Sequence, residues 1–225
     1  MHIPDGFLDA DVAAAAGVVT LGALGLALRR ADEALDERRV PLVGVTGAFV
    51  FAAQMINFPV AGGTSGHVLG AALAAILLGP WVACLVMSVV LATQSLLFAD
   101  GGVTALGANV LNMGVIGALC VGGLMLAVRR VLPKSRAAFL AIAGAGAWLA
   151  VMAGAAATAL ELGISETVPL GTVLPAMLGV HAVIGVGEAV VTVAAVGAVL
   201  ATRPDLIAVV DLRAEERAVP AAVAP

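Results

Sequence analysis

The 225-residue sequence holds three histidines, His2, His67 and His181. His2 stands one residue from a free α-amine, and that spacing has chemical meaning. The Met1 amine, the main-chain nitrogen of His2 and Nδ1 of its imidazole can close fused five- and six-membered rings around one metal ion, once the main-chain nitrogen gives up its proton. One equatorial position stays open, and His67, at the end of Gly-Gly-Thr-Ser-Gly-His, can fill it. Four nitrogens in a square plane suit Ni(II) or Cu(II), and in some cases Co(II). Ligand deprotonation makes such binding weaken at low pH. The plain alternative for His2 is a solvated terminal residue. A bulky second residue also discourages removal of Met1.

A second constellation lies near the other end of the chain. His181 and Glu188 are seven residues apart, so they share one face of a helix. Ionisable groups inside an apolar run are costly and mark function often. Three readings stand: a structural polar contact, which the spacing favours, a second metal site, or the acid and base of a membrane enzyme. Facing partners are sought among Gln54, Asn57, Gln94, Asn109 and Asn112. These amides either orient a ligand imidazole or bind helices to one another. Asn109 and Asn112, three apart, share a face. Asn57-Phe58-Pro59 ends an apolar run and shapes the loop presenting His67. Cys84 and Cys120 lie in apolar runs and read as inert packing residues.

The elements that must position these groups are apolar throughout. Hydrophobic residues make up 62% of the chain and charged ones 12%, against about a quarter in soluble domains. Glycine, at 27 residues, lets helices approach closely in a bilayer. Apolar runs cover 12–28, 41–58, 68–78, 81–98, 103–128, 137–160 and 173–201. The third is short for a span, so it reads as a tilted, kinked or partial helix. Period-two alternation is missing, which argues against a β-barrel. No internal repeat is evident. The opening residues lack the basic stretch and h-region of a signal peptide.

Charge gives an orientation. All 11 basic residues fall in three segments: Arg29, Arg30, Arg38 and Arg39; Arg129, Arg130, Lys134 and Arg136; Arg203, Arg213 and Arg217. The positive-inside rule puts all three in the cytoplasm. The expected fold is therefore an all-α integral membrane protein of about seven transmembrane helices, with the amino terminus outside and the carboxyl terminus cytoplasmic. Residues 1–203 form a single polytopic membrane domain and 204–225 a short cytoplasmic tail. The outer side then holds Asp5, Asp9, Asp11, Asp100, Glu161, Glu166 and the loop from Pro59 to His67, an acidic rim that attracts cations. A basic nucleic-acid-binding face is missing. So are a Walker A motif, a His-Glu-x-x-His motif and a Gly-x-Ser-x-Gly elbow, which argues against ATP hydrolysis and against the corresponding proteases.

Several segments together resemble one family. Met1-His-Ile-Pro-Asp-Gly-Phe-Leu8, Asn57-Phe-Pro-Val-Ala-Gly-Gly-Thr-Ser-Gly-His67 and Leu97-Phe-Ala-Asp-Gly-Gly102 look like the CbiM/NikM family. So do Leu106-Gly-Ala-Asn-Val-Leu-Asn-Met113 and His181-Ala-Val-Ile-Gly-Val-Gly-Glu188. These are the substrate-binding membrane subunits of cobalt and nickel energy-coupling-factor (ECF) transporters. The resemblance implies seven helices with the amino terminus tucked into the outer side of the bundle. It also implies a square-planar site of Met1 through its amine, His2 through backbone and ring nitrogens, and His67 through its ring.

The same resemblance implies Co2+ or Ni2+ as transported substrate, no bound organic cofactor, and a multi-pass place in the bacterial cytoplasmic membrane. The implied partners are membrane lipid, a transmembrane coupling subunit, two ATPase subunits and a small accessory membrane subunit. Some relatives carry that accessory part fused; here the chain ends too soon after Ala201 for it. Small-residue faces such as Ala23-x-x-x-Ala27 would slide on the coupling subunit or simply pack tightly. The alternatives are an ATP-independent secondary metal transporter or channel, the membrane enzyme above, and a purely structural subunit.

Overall fold

The computed structural model describes residues 1–32, 39–128 and 135–208. Helices α1 (Ala10–Asp32) and α2 (Val40–Gln54) are followed by a two-stranded antiparallel ribbon. In it β1 (Phe58–Pro59) pairs with β2 (Ser65–Gly66), Phe58 opposite Gly66. Then come α3 (Ala71–Leu78), α4 (Pro80–Phe98), α5 (Leu106–Asn109), a π-helical segment (Val110–Ile116) and α6 (Gly117–Val128). The chain closes with α7 (Arg136–Ile164), α8 (Leu170–Thr202) and a 3-10 turn (Pro204–Leu206).

Among the described residues, five helices are long and apolar enough to cross a membrane: Ala10–Ala31, Pro80–Phe98, Leu106–Met125, Arg136–Ile164 and Leu170–Thr202. The apolar side chains point outward as well as inward. Leu21, Val18, Leu97 and Val183 are 70–75% exposed, which in water would be costly and in lipid is favourable. Helix α2, at 15 residues, is shorter. Helix α3 has eight residues and all of them are buried. At 1.5 Å per residue it rises about 12 Å, against about 30 Å of hydrocarbon. The extended segment from Ser65 to Gly70 precedes it, and the Ala208 N–H donates to Ile76 O near its far end (3.1 Å). The third apolar run is thus a partial helix fed by extended chain.

Non-helical backbone inside a bilayer needs its polar groups satisfied by protein. Here Glu188, from the middle of α8, accepts the N–H of Leu69 and of Gly70 through its two carboxylate oxygens, both at 2.7 Å. Gln54 Nε2 donates to Leu69 O at 2.6 Å. Gly70 turns the chain into α3 at φ +75°, a conformation that L side chains rarely adopt, and a Cβ there would meet Val50 at 2.9 Å.

Differences from the sequence reading have physical causes. The all-α expectation meets a small β-ribbon, because Val60–Ser65 closes a tight turn through Gly63 N–H to Val60 O (3.0 Å) and Val60 N–H to Thr64 O (3.0 Å). The fifth run does not make one regular helix from Val103. It starts at Leu106 and passes through the π-helical segment, whose wider turn separates Asn109 from Asn112. Asn109 accordingly reaches the amino terminus, while Asn112 donates to Glu161 (2.6 Å) and Thr158 (3.3 Å) on α7. Cys84 packs inside as expected, but Cys120 is exposed. Ala27 is fully buried.

The first nine residues are bound at one end of the bundle. Ile3 N–H donates to Asn109 Oδ1 (2.8 Å), and Ile3 O accepts from Asn109 Nδ2 (3.0 Å) and Gly102 N–H (2.8 Å). Asp5 Oδ1 accepts from Thr104 N–H and hydroxyl. The Thr167 hydroxyl donates to Phe7 O, and Asp9 N–H to Ser165 (3.1 Å). Arg29, Arg30, Arg39, Arg136 and Arg203 stand at the opposite ends of their helices. Arg38, Arg129, Arg130, Lys134, Arg213, Arg217 and the tail beyond Ala208 lie outside the described residues.

Candidate metal centre

Met1, His2 and Ile3 are buried, at 0%, 3% and 0% exposure. Met1 packs its thioether beside Gly154 of α7, where a Cβ would come within 3.3 Å of the sulfur. Its amine points at the ribbon. It lies 2.5 Å from Ser65 O, 3.0 Å from Ser65 Oγ and 3.0 Å from Nε2 of His67. The His2 N–H donates to the same Ser65 hydroxyl at 3.1 Å. The His2 and His67 rings stack, centroids 4.6 Å apart. The structure thus brings together the three residues that the sequence singled out as ligands.

Each imidazole is held in one tautomer by a neighbour. Nδ1–H of His67 donates to Val68 O at 2.8 Å, leaving the Nε2 lone pair toward the Met1 amine. His2 Nε2 lies 3.1 Å from Gln94 Oε1; with the proton on Nε2 that contact is a hydrogen bond. Nδ1 of His2 is then left with its lone pair and no hydrogen-bond partner, although Asp100 Oδ1 stands 3.2 Å away. That contact satisfies a distance for an ion pair, but without a proton on Nδ1 it is two acceptors facing each other.

Burial makes these nitrogens good ligands. Desolvation lowers the Met1 amine from 8.0 to about 4, against the pull of Asp100. Desolvation, then the amine's charge, lowers His2 to about 3, against the Gln94 hydrogen bond. At those values both groups are neutral at pH 7, which frees their lone pairs for a metal. Adjacent ligands on a plane around a metal, with metal–nitrogen bonds of about 2.0 Å, stand about 2.8 Å apart. The 3.0 Å between the amine and His67 Nε2 fits that spacing. Among the described residues, no three His, Cys, Asp or Glu side chains group to hold a metal, so a site here depends on main-chain and terminal nitrogens.

The remaining candidates sort by what they touch. Gln94 holds His2, and Asn109 holds Ile3. Asn57 Nδ2 donates to Asp100 Oδ2 at 3.0 Å, at the rim. Asn112 turns its side chain to Glu161 and Thr158 on α7. Glu188 holds the backbone after His67, the structural role its spacing favoured. His181 is fully buried with Nδ1 toward Met177 O (2.7 Å) and its ring also facing the Ser65 backbone. None of the amides pairs with His181 or Glu188 directly; the backbone of α8 and of the His67 loop takes that place.

Two residues escaped the sequence reading as parts of the site, Ser65 and Asp100. Position gave a signal for both: Ser65 stands two residues before His67, and Asp100 is an acid among apolar and glycine residues. An open vestibule of about 460 Å3 leads from the surface to His2, lined also by Asp5, Asn57, Ser65, Ser95 and Asp100.

A bundle of apolar helices with a buried nitrogen cluster at one end is the architecture of a multi-pass membrane protein. The chain belongs to the CbiM family, whose model, described as the cobalt uptake substrate-specific transmembrane region, matches residues 2–206. A Haloquadratum walsbyi protein whose name assigns it to metal transport is 43% identical over 92% of this chain and 93% of its own length. The fused nickel transport protein NikMN of Rhodobacter capsulatus is 35% identical over 92% of this chain, which spans 64% of that protein. A crystal structure of a truncated transition metal transporter superposes with TM-score 0.82 at 34% identity, covering 89% of this chain and 99% of the other.

Proposed function

We propose that this chain binds one Co2+ or Ni2+ ion through the Met1 amine, the main-chain and ring nitrogens of His2, and His67, and passes it across the cytoplasmic membrane. The reading rests on the buried Met1 amine 3.0 Å from the free nitrogen of His67. The Ser65 hydroxyl accepts from the amine and from the His2 N–H. On binding, the metal would take the place of the His2 N–H proton, which would leave to solvent, and that hydrogen bond to Ser65 would end. In this reading the site end faces outside, the basic ends of the helices face the cytoplasm, and the chain crosses seven times, the third time through Ser65–Leu78.

Reorientation of a buried site needs an energy source, and the reading assigns it to two ATPase subunits acting through a transmembrane coupling subunit, with a small accessory membrane subunit. In the same reading residues 1–203 are the membrane domain and 204–225 a cytoplasmic extension, whose first residues pack back on the bundle through Ile207 and the Ala208 N–H to Ile76 O. The membrane-enzyme reading is disfavoured because both Glu188 oxygens are occupied by main-chain N–H groups. Metal analysis of the purified subunit beside His67→Ala tests the binding step. The expected result is about one ion per native chain and none in the variant. Uptake into vesicles reconstituted with the partner subunits is expected to need ATP; equal uptake without ATP contradicts the coupling and supports the secondary transporter.

A further inference from the structure

The contact between His2 Nδ1 and Asp100 goes beyond the four nitrogens. Asp100 is placed with care. Ala99 ends α4 in a left-handed conformation, φ 54°, which a non-glycine residue adopts at a cost. That turn lets Asp100 N–H donate to Gln94 O at 3.1 Å, so one α4 residue fixes both the carboxylate's backbone and the His2 ring. Asn57 pins Oδ2 at 3.0 Å, which leaves Oδ1 3.2 Å from Nδ1 of His2. The side chain is 16% exposed, between the vestibule and the buried imidazole. Two acceptor atoms held that close are stable together when a cation lies between or beside them.

Charge arithmetic says what the carboxylate does, granted the four-nitrogen reading above. A divalent ion bound by two imidazole-type or amine nitrogens, one further imidazole and one deprotonated amide keeps a net charge of +1. A lone unit charge is expensive to enclose among apolar helices. We propose that the ionised Asp100 carboxylate completes the site as its charge-balancing group and as the carboxylate that stands between the vestibule and His2 Nδ1. The complete site then sums to zero for a divalent ion only. A monovalent ion leaves −1 and a trivalent ion +1, so the carboxylate also selects charge.

The test is metal binding by the purified, full-length subunit with Co2+ or Ni2+, comparing native chain, Asp100→Asn and Asp100→Glu. Equilibrium affinity, association rate and ligand-field spectrum are recorded, and metal-free melting checks the fold. Expected are a loss of about 10–100-fold in affinity and slower association for Asp100→Asn with an unchanged four-nitrogen spectrum, and recovery of most of the affinity in Asp100→Glu. Should the Asn variant fail to fold, Asp100→Ser gives the same comparison. Affinity within twofold of native in the uncharged variant overturns the proposal, and so does an Asp100→Glu chain that binds no better than Asp100→Asn. A native subunit that takes up no metal overturns the four-nitrogen reading, and this one with it.

Discussion

At the scale of single residues the site is governed by desolvation and by which atom carries each proton. With the Met1 amine brought down to about 4 and His2 to about 3, protons compete with metal for these groups only in strong acid. The remaining proton to be lost near neutrality is that of the His2 main-chain nitrogen. Calorimetry at pH 6 in two buffers of different ionisation heat is therefore expected to show about one proton released per metal. A free peptide with the same opening residues has its amine near 8.0 and should release about two or more at that pH. Affinity should fall about tenfold per unit as pH drops from 7 toward 5 and more steeply below about 4. Release of two or more protons by the folded protein at pH 6 contradicts the buried, neutral amine. The proposed chelate of Met1 and His2 was legible in the sequence because it depends on spacing from the terminus, while His67 entered through its loop and the family resemblance. Ser65 and Asp100 carried only a positional signal, because a hydroxyl or carboxylate in a loop gains its specific partner only from distances that folding creates.

At the scale of elements, the broken third pass is what carries His67 to the amino terminus. Its main chain leaves helical pairing between Ser65 and Gly70, and α8 and α2 satisfy it through Glu188 and Gln54. Glu188→Ala leaves two buried N–H groups unmet and is expected to lower the stability of the detergent-solubilised protein by about 3 kcal/mol and to weaken metal binding. Glu188→Gln keeps one acceptor and should lose less than half as much. Equal losses, or none, would show that the carboxylate does not hold the loop. The apolar runs located the long helices to within a few residues: 137–160 became Arg136–Ile164 and 173–201 became Leu170–Thr202. The π-helical segment was not legible, since Val110–Ile116 has the same composition as its helical neighbours. The β-ribbon was hidden for a similar reason: a run of two paired residues has no period to detect.

At the scale of the whole molecule, Asp5, Asp9, Asp11, Asp100, Glu161 and Glu166 gather at one end and the described basic groups at the other, where Asp205 pairs with Arg203, while apolar side chains cover the sides. Charge segregation along the sequence made this polarity readable before any coordinates. What it could not show is that the amino terminus is a buried structural part, clamped by Asn109, Gly102 and Thr104. That burial makes the first residue the most demanding test of the account. The decisive measurement is metal content and ligand-field spectrum of the native subunit beside a chain carrying one extra residue before Met1. The account predicts about one Ni2+ or Co2+ with a square-planar spectrum in the native protein and none in the extended one, whose amine is displaced from His67. Equal binding with the same spectrum in both would contradict an amino-terminal chelate and move the site to His67 and its neighbours.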